Sequence, residues 1–148
     1  KGILKQPILY LSDFFERNRL LYYDNLMRAR THNDINQWLK FFLTGIIEIS
    51  KKGVETFNGI MQLQKNLDIK LQTLGIRSLE AQKIIDSLYK NPVIDASKVE
   101  KIINKSKATH YKLIADLERL EIIKEISGAQ RNKLYVFKDY LDLFNNQN

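Results

Sequence analysis

The chain has 148 residues, 44% of them hydrophobic, which predicts a folded, soluble protein of one ordinary domain or two small ones. It contains no cysteine, so disulfide frameworks and thiolate metal sites are excluded, and a reducing cytoplasm is the expected location. The most apolar window, residues 35–49, is interrupted by polar residues and is shorter than the ~20 apolar residues that a membrane span needs. Net charge is +7, which favours an acidic partner.

The first predicted element is a helix rich in large apolar residues. Ser12 is its expected N-cap, with Asp13 in the first turn, and the helix runs to about Arg30. We expect it to be bent, or divided into two helices, near Asn18. A polar turn at 31–34 follows.

A second, very long helix is predicted to begin at Asp34, which is well placed as an N-cap. No proline interrupts residues 34–74. Positions 57, 60, 64, 67, 71 and 74 keep a 3-4 spacing and are apolar except for Gln64. Gly53 marks a point where this helix could break, and Gly75 is the expected C-terminal stop.

Aromatic residues are concentrated in these N-terminal helices and are predicted to form their packing core. They are Phe14, Phe15, Tyr22, Tyr23, Trp38, Phe41 and Phe42.

The pattern changes after residue 78. Helices are predicted at 79–89, 97–103, 106–120 and 139–144, and strands at 93–94, 122–126 and 134–137, with a frayed end at 145–148. Helix, short strand, helix, turn, helix and hairpin is the order of a winged helix-turn-helix domain. The predicted fold is therefore mainly α, with a helical domain at 1–78 and a winged helix with a small β-hairpin at 79–148.

The stretch 106–120 has the features of a recognition helix. Lys107, His110 and Lys112 lie in its first turns and acidic residues at its end, the reverse of what the helix dipole favours. Ser106 can cap its N-terminus. The residues predicted to form its buried stripe are Ala108, Tyr111, Leu113, Ile114, Leu117 and Leu120.

These residues predict DNA binding. The candidate major-groove contacts are Ser106, Lys107, Thr109, His110 and Lys112, and the candidate wing contacts are Arg131 and Lys133. The lysines would supply salt-sensitive affinity, while Thr109 and His110 are the better candidates for base contacts. The alternative is a winged helix that mediates protein interaction or dimerisation and whose basic residues are only solvated.

Signals for catalysis or metal binding are weak. His32 and His110 lie in different segments without a neighbouring cysteine or histidine, so no metal site is predicted. The glycines are scattered singly and form no phosphate-binding loop.

A block at 8–43 resembles the region that follows the catalytic helix in the Fic family. It reads Ile-Leu-Tyr-Leu-Ser at 8–12, Glu-Arg-Asn-Arg at 16–19, Tyr-Tyr at 22–23, Asn-Asp at 33–34 and Trp-Leu-Lys-Phe-Phe-Leu at 38–43. The resemblance implies a parent protein that transfers AMP from ATP, with a divalent metal such as Mg, to a hydroxyl group of a target protein. Many bacterial Fic proteins carry a C-terminal winged helix, so the resemblance extends over essentially the whole chain.

The Fic signature His-Pro-Phe-x-Asp/Glu-Gly-Asn-Gly-Arg is absent from this sequence. The family's general base and phosphate-binding turn are therefore missing, and the chain alone is expected to be inactive. By resemblance, Tyr22 and Tyr23 correspond to a tyrosine pair beside the nucleotide. Ser12 and Glu16 fit the spacing of the family's inhibitory helix, but Arg17 replaces the expected Gly or Asn, so that role is not assigned.

The sequence opens with Lys-Gly-Ile-Leu-Lys and no Met, which predicts a fragment of a longer Fic protein. Apolar surface on the helices at 8–43 would then promote self-association. One alternative is a DNA-binding regulator that dimerises through the stripe at 57–74. Another is a winged helix that presents target proteins to the parent enzyme.

Overall fold

A computed structural model describes residues 11–145 of the protein. Within that range the protein is mainly helical and has one three-stranded antiparallel sheet. Packing divides the chain into an N-terminal unit, Lys1–Asn58, and a C-terminal unit, Gly59–Asn148. The domain boundary that the change of sequence pattern predicted after residue 78 stays a prediction.

Two helices open the N-terminal unit: α1, Leu11–Arg17, and α2, Arg19–His32. They are divided at Asn18, whose side-chain amide donates to the carbonyl of Phe14 at 2.9 Å. The predicted break at Asn18 is confirmed. Ser12 lies inside α1, so it is not the N-cap that the sequence predicted.

Helix α3, Ile35–Gln72, is continuous over 38 residues, without a break at Gly53. The predicted cap is present, because the Asp34 carboxylate accepts the N–H of Gln37 at 3.2 Å. Gly75 follows the helix with φ +56°, a left-handed conformation that glycine adopts without a Cβ clash. Both ends of α3 were therefore predictable from local backbone chemistry.

The predicted aromatic residues pack together in the N-terminal unit, except that Tyr23 is 53% exposed and lies outside this core. Phe14 is buried. The ring centroid of Phe15 lies 4.9–6.4 Å from the ring centroids of Tyr22, Trp38, Phe41 and Phe42. The backbone of Gly45 approaches Phe14 so closely that a Cβ there would lie 2.6 Å from the ring.

The C-terminal unit follows the predicted order of elements. After a 3-10 turn at Gly75–Arg77 come α4 (Ser78–Leu88), β1 (Val93–Asp95), α5 (Ala96–Ile103), α6 (Lys107–Arg119), β2 (Lys124–Glu125), β3 (Leu134–Val136) and α7 (Lys138–Asn145). Strand β2 is shorter than predicted, because Ile122 and Ile123 are buried in the core before the pairing begins. The predicted fraying at 145–148 lies almost wholly outside the described residues.

The sheet has the order β1-β3-β2, so β3 is the central strand. Val136 pairs with Val93 on one side and with Lys124 on the other. The β2–β3 hairpin was predicted, whereas the pairing of β1 with β3 was not. Immediately after β3, Phe137 donates its backbone N–H to the carbonyl of Pro92 at 2.8 Å.

The core of the C-terminal unit includes the end of α3. Leu67, Leu71 and Leu74 are 3%, 3% and 6% exposed and pack with residues of α4, α5 and α6. Much of the stripe at 57–74 is therefore used within the chain. The alternative in which this stripe pairs with a second chain is wrong for these three residues.

No helix among residues 11–145 combines the length and the apolar character that crossing a lipid bilayer requires.

A partly buried ion pair joins the start of α4 to α6. The Asp116 carboxylate contacts the Arg77 guanidinium at 2.8 Å and that of Arg119 at 3.2 Å, and its side chain is only 12% exposed. We predict that Asp116→Ala destabilises the C-terminal unit by about 1–3 kcal/mol, because Arg77 loses a charged acceptor. Amide hydrogen exchange of α6 would measure the loss. Glu118→Ala, at an exposed position of the same helix, is the control and should change exchange little.

Candidate nucleic-acid interface

The N-terminus of α6 is held by a local cap. Ser106 Oγ accepts the N–H of Thr109 at 3.4 Å and lies 2.9 Å from the Thr109 hydroxyl. Asn104, with φ 43°, makes the left-handed turn that ends α5. The two hydroxyls thus hydrogen-bond to each other, and that of Ser106 also accepts a backbone N–H of the first turn. Their first role is therefore to fix where α6 begins and its direction.

Helix α6 has one buried and one exposed face. Leu113 and Leu117 are fully buried, and they set the rotation of the helix about its axis. Since successive residues are about 100° apart, Tyr111 is rotated away from Leu113 toward solvent. The exposed residues along its length include Lys107, Ala108, Tyr111, Lys112 and Ala115.

Two residues of the predicted stripe are therefore not buried. Ala108 is exposed, and Tyr111 is 55% exposed. The apolar character of both residues suggested the core, but the spacing of Leu113, Ile114 and Leu117 already defines a face that excludes them. That spacing fixes the rotation of the helix about its axis, and it could have identified Tyr111 as an exposed candidate contact, which the sequence analysis missed.

His110 lies on the buried side of α6. Its side chain is 2% exposed, and its Nε2 has no hydrogen-bond partner among the described residues. A base edge cannot reach an imidazole in that position. The structure therefore places His110 in the core, away from the surface of Lys107 and Lys112.

The loop between β2 and β3, residues 126–133, is organised by one carboxylate. Glu125 Oε1 accepts the N–H groups of Ser127 at 2.9 Å and Gly128 at 2.8 Å, and also the Ser127 hydroxyl. Gly128 and Asn132 have positive φ, as the reversal requires. This loop carries the predicted contacts Arg131 and Lys133, and both are exposed.

These hydrogen bonds make the loop sensitive to acid. Donation by the Ser127 hydroxyl, followed by the two backbone N–H groups and the nearby Lys133 charge, lowers the pKa of Glu125 below its ordinary 4.5. The stabilisation is present above that value and is lost as pH falls through the lowered folded-state pKa. We predict that the amide proton shifts of Ser127 and Gly128 move together in that acid range. Glu125→Gln is the control, and a transition that persists in this variant would contradict the assignment.

Exposed positive charge is present in the N-terminal half of α6 and in the loop, as it is at other positions of this unit. Lys107 and Lys112 are exposed, whereas Glu118 and Glu121 are exposed at the opposite end of the helix. Lys105, just before the cap, lies 4.0 Å from Glu80, so its charge is partly offset. The interface candidates are thus two groups of exposed cations in one unit, on α6 and on the 126–133 loop.

The two tyrosines of the N-terminal unit differ in environment. Tyr22 is half-buried, with its ring 4.9 Å from Phe15 and 5.8 Å from Trp38. Tyr23 is 53% exposed, and the Arg19 guanidinium lies 5.8 Å from its ring centre. Tyr22 therefore packs in the core, and Tyr23 is the member of the pair that is open to a ligand.

Comparison with known proteins does not assign the chain to a family. No family model matches the sequence, and no curated protein matches it. The resemblance to Fic proteins rests on the residues of the 8–43 block, of which residues 8–10 lie outside the described part of the chain.

Proposed function

We propose that the C-terminal unit is a winged helix-turn-helix domain that binds double-stranded DNA, with α6 in the major groove and the 126–133 loop against the backbone. The observation that carries this proposal is the exposed face of α6 over residues 107–115. It presents Lys107, Tyr111 and Lys112 beside two alanines and contains no acidic residue. A capped, rigid helix with a basic, sterically open face suits the major groove.

The side chains on this face have complementary roles. Lys107 and Lys112 neutralise phosphates or donate to the acceptors of guanine. Alanine at 108 and 115 allows the helix to approach the base edges closely. Tyr111 offers a hydroxyl group and an aromatic ring, and the ring can contact a thymine methyl group.

The loop supplies the second contact. Arg131 and Lys133 extend from a turn that the Glu125 hydrogen bonds hold in shape, and phosphate contacts there would fix the register of α6 on the duplex. A DNA ligand also implies a cytoplasmic location for the protein.

Fluorescence anisotropy with a labelled duplex of random sequence tests the proposal across a salt series. If Lys107, Lys112, Arg131 and Lys133 each contact a phosphate, the slope of log K against log salt should be about −3.6. A slope near zero, or the absence of binding at low salt, would favour the alternative in which this unit is a protein-interaction module.

A second proposal concerns the N-terminal unit and is supported by the sequence resemblance and by the exposed ring of Tyr23. We propose that this unit derives from a Fic protein AMP-transferase, in which Tyr23 lies beside the ATP nucleotide and Tyr22 supports it. The chain itself lacks the signature motif, so it should transfer no AMP to proteins.

Labelled ATP provides the test of this second proposal. The chain should label no protein, whereas a parent protein that carries the signature should label its target in the presence of Mg. In that parent, Tyr23→Ala should raise KM for ATP more than Tyr22→Phe does. Equal KM values for these variants and the parent would count against a nucleotide contact at Tyr23.

A further inference from the structure

The C-terminal end of α6 is held by a residue of the long helix α3. Lys70, in the last turn of α3, donates from its ammonium group to the backbone carbonyl of Leu120 at 2.8 Å. Leu120 is the C-cap of α6, where the carbonyl groups have no partner inside the helix. A cation there also suits the negative end of the helix dipole. The contact joins residues fifty positions apart, so it ties α6 to a distant element of the chain.

A second cation contacts the same end of α6. The Arg77 guanidinium, just before α4, lies 2.8 Å from the carboxylate of Asp116 in the last turn of α6. Glu118 and Glu121 add further negative charge at this end, where the helix dipole already disfavours it. Lys70 and Arg77 therefore offset this charge and hold the last turn of α6 from two other elements.

The tilt of α6 depends on contacts of this kind. The buried side chains of α6 lie between His110 and Leu117 and leave the last turn to other contacts. A tilt of about 10° about Leu117 would move the backbone of Lys107, which lies about 15 Å away along the axis, by about 2–3 Å. A flexible lysine can still reach a phosphate after such a shift. A hydrogen bond to a base edge is lost, because its length can vary by only about 0.5 Å.

We propose that Lys70 and Arg77 are positioning residues for DNA binding, which fix the angle at which the face of α6 over residues 107–115 meets the base edges. This role rests on the DNA binding proposed above. The end of α6 that they hold lies about 12 Å along the axis from Lys112 and about 20 Å from Lys107, so they act apart from the phosphates that those lysines neutralise. Their loss should therefore weaken discrimination among duplex sequences and leave the salt dependence of binding unchanged.

Lys70→Met tests this role, because methionine has a similar length and helix propensity but cannot donate to the carbonyl of Leu120. Anisotropy titrations of the full chain would use one duplex that the wild-type chain selects from a random pool and one duplex of random sequence. The ratio of the two affinities should fall about tenfold, the discrimination that one base contact supplies. The slope of log K against log salt should not change. Partial unfolding would lower both affinities by the same factor, so an unchanged ratio would overturn the positioning role.

Three further variants separate position from charge. Lys65→Met removes the same charge from an exposed position of α3 and should keep the affinity ratio. Lys70→Arg can still donate to the carbonyl and should recover most of the ratio. Arg77→Met should lower the ratio as Lys70→Met does, while Asp116 keeps Arg119 as a partner at 3.2 Å. An equal loss in Lys65→Met would mean that net charge explains the effect, and it would overturn the proposal.

The orientation of α6 can also be measured without DNA. Residual dipolar couplings of the backbone amides report the angle between α6 and residues 59–72 of α3. Lys70→Met should change that angle, whereas Lys65→Met should not. An unchanged angle in Lys70→Met would overturn the positioning role even if DNA binds. A wild-type chain that binds no duplex would instead contradict the proposed function itself, and the positioning role in DNA binding with it.

Discussion

Replacing Phe137 by alanine should destabilise the C-terminal unit by about 3–5 kcal/mol. The side chain is 0% exposed and lies at the point where the central strand β3 leads into α7. Its ring stacks on Tyr140 at 5.5 Å and meets Tyr89 edge-on at 5.6 Å. Alanine would leave a cavity bordered by both rings, and the backbone bond to Pro92 restricts the collapse that could fill it.

Amide hydrogen exchange of α4 and α6 is the appropriate measurement, because the only tryptophan, Trp38, lies in the other unit. The control is Phe144→Ala. Phe144 belongs to the same aromatic group, 5.2 Å from Tyr140, but is 46% exposed, so its loss should cost less than about 2 kcal/mol. Equal losses for the two variants would mean that Phe137 does not anchor the core.

The ends of α3 and the start of α6 could be predicted because short-range chemistry sets them, whereas the cap predicted at Ser12 was wrong. Asp34 and Ser106 each accept a backbone N–H three residues later, and Gly75 has the left-handed conformation that ends a helix. At α5, which was predicted to begin at 97, the structure shows the same kind of cap, because Asp95 accepts the N–H of Lys98 at 2.7 Å. Each of these interactions lies within a few residues, so a short stretch of the sequence contains both partners.

Long-range pairing could not be predicted in the same way. Strand β1 has three residues, and its partner β3 lies some forty positions later, so no local pattern indicates which strands pair. The burial of Leu67, Leu71 and Leu74 could not be predicted for a similar reason. Their spacing shows an apolar face, but only the folded C-terminal unit shows that the face is covered by the same chain.

In the candidate site, the rotation of α6 about its axis decides which residues are exposed. Lys107 and Lys112 were predicted at the surface and are exposed, whereas His110 is in the core and Tyr111 outside it. The sequence analysis had predicted His110 at the surface and Tyr111 in the buried stripe. Residue type alone led to both predictions, because histidine is commonly a surface residue and tyrosine is commonly packed in a core. The burial of Leu113 and Leu117 fixes the rotation of α6 and leaves Tyr111 in solvent.

The strongest effect on ligand binding is expected from replacing Lys107 and Lys112 together by alanine. If each contacts a phosphate, the slope of log K against log salt should become less steep by about 1.8, and affinity at low salt should fall most. Both side chains are exposed on α6, so stability should change little. Anisotropy titrations at several salt concentrations would measure the slope.

A matched control separates local contacts from the net charge of +7. Lys65→Ala with Lys83→Ala removes the same charge from exposed positions on α3 and α4 of the same unit. If long-range attraction dominates, the two double variants should lose affinity equally. If α6 enters the groove, only the Lys107 and Lys112 variant should show a less steep slope, since counterion release requires a cation at the phosphate.

Tyr111→Ala changes the same face of α6 without altering its charge. A base contact predicts an unchanged salt slope together with weaker discrimination among duplex sequences. If Tyr111→Ala leaves sequence discrimination intact while the lysine variant reduces the slope, α6 binds the phosphate backbone alone. The domain would then bind DNA without reading its sequence, and any specificity would have to come from the 126–133 loop.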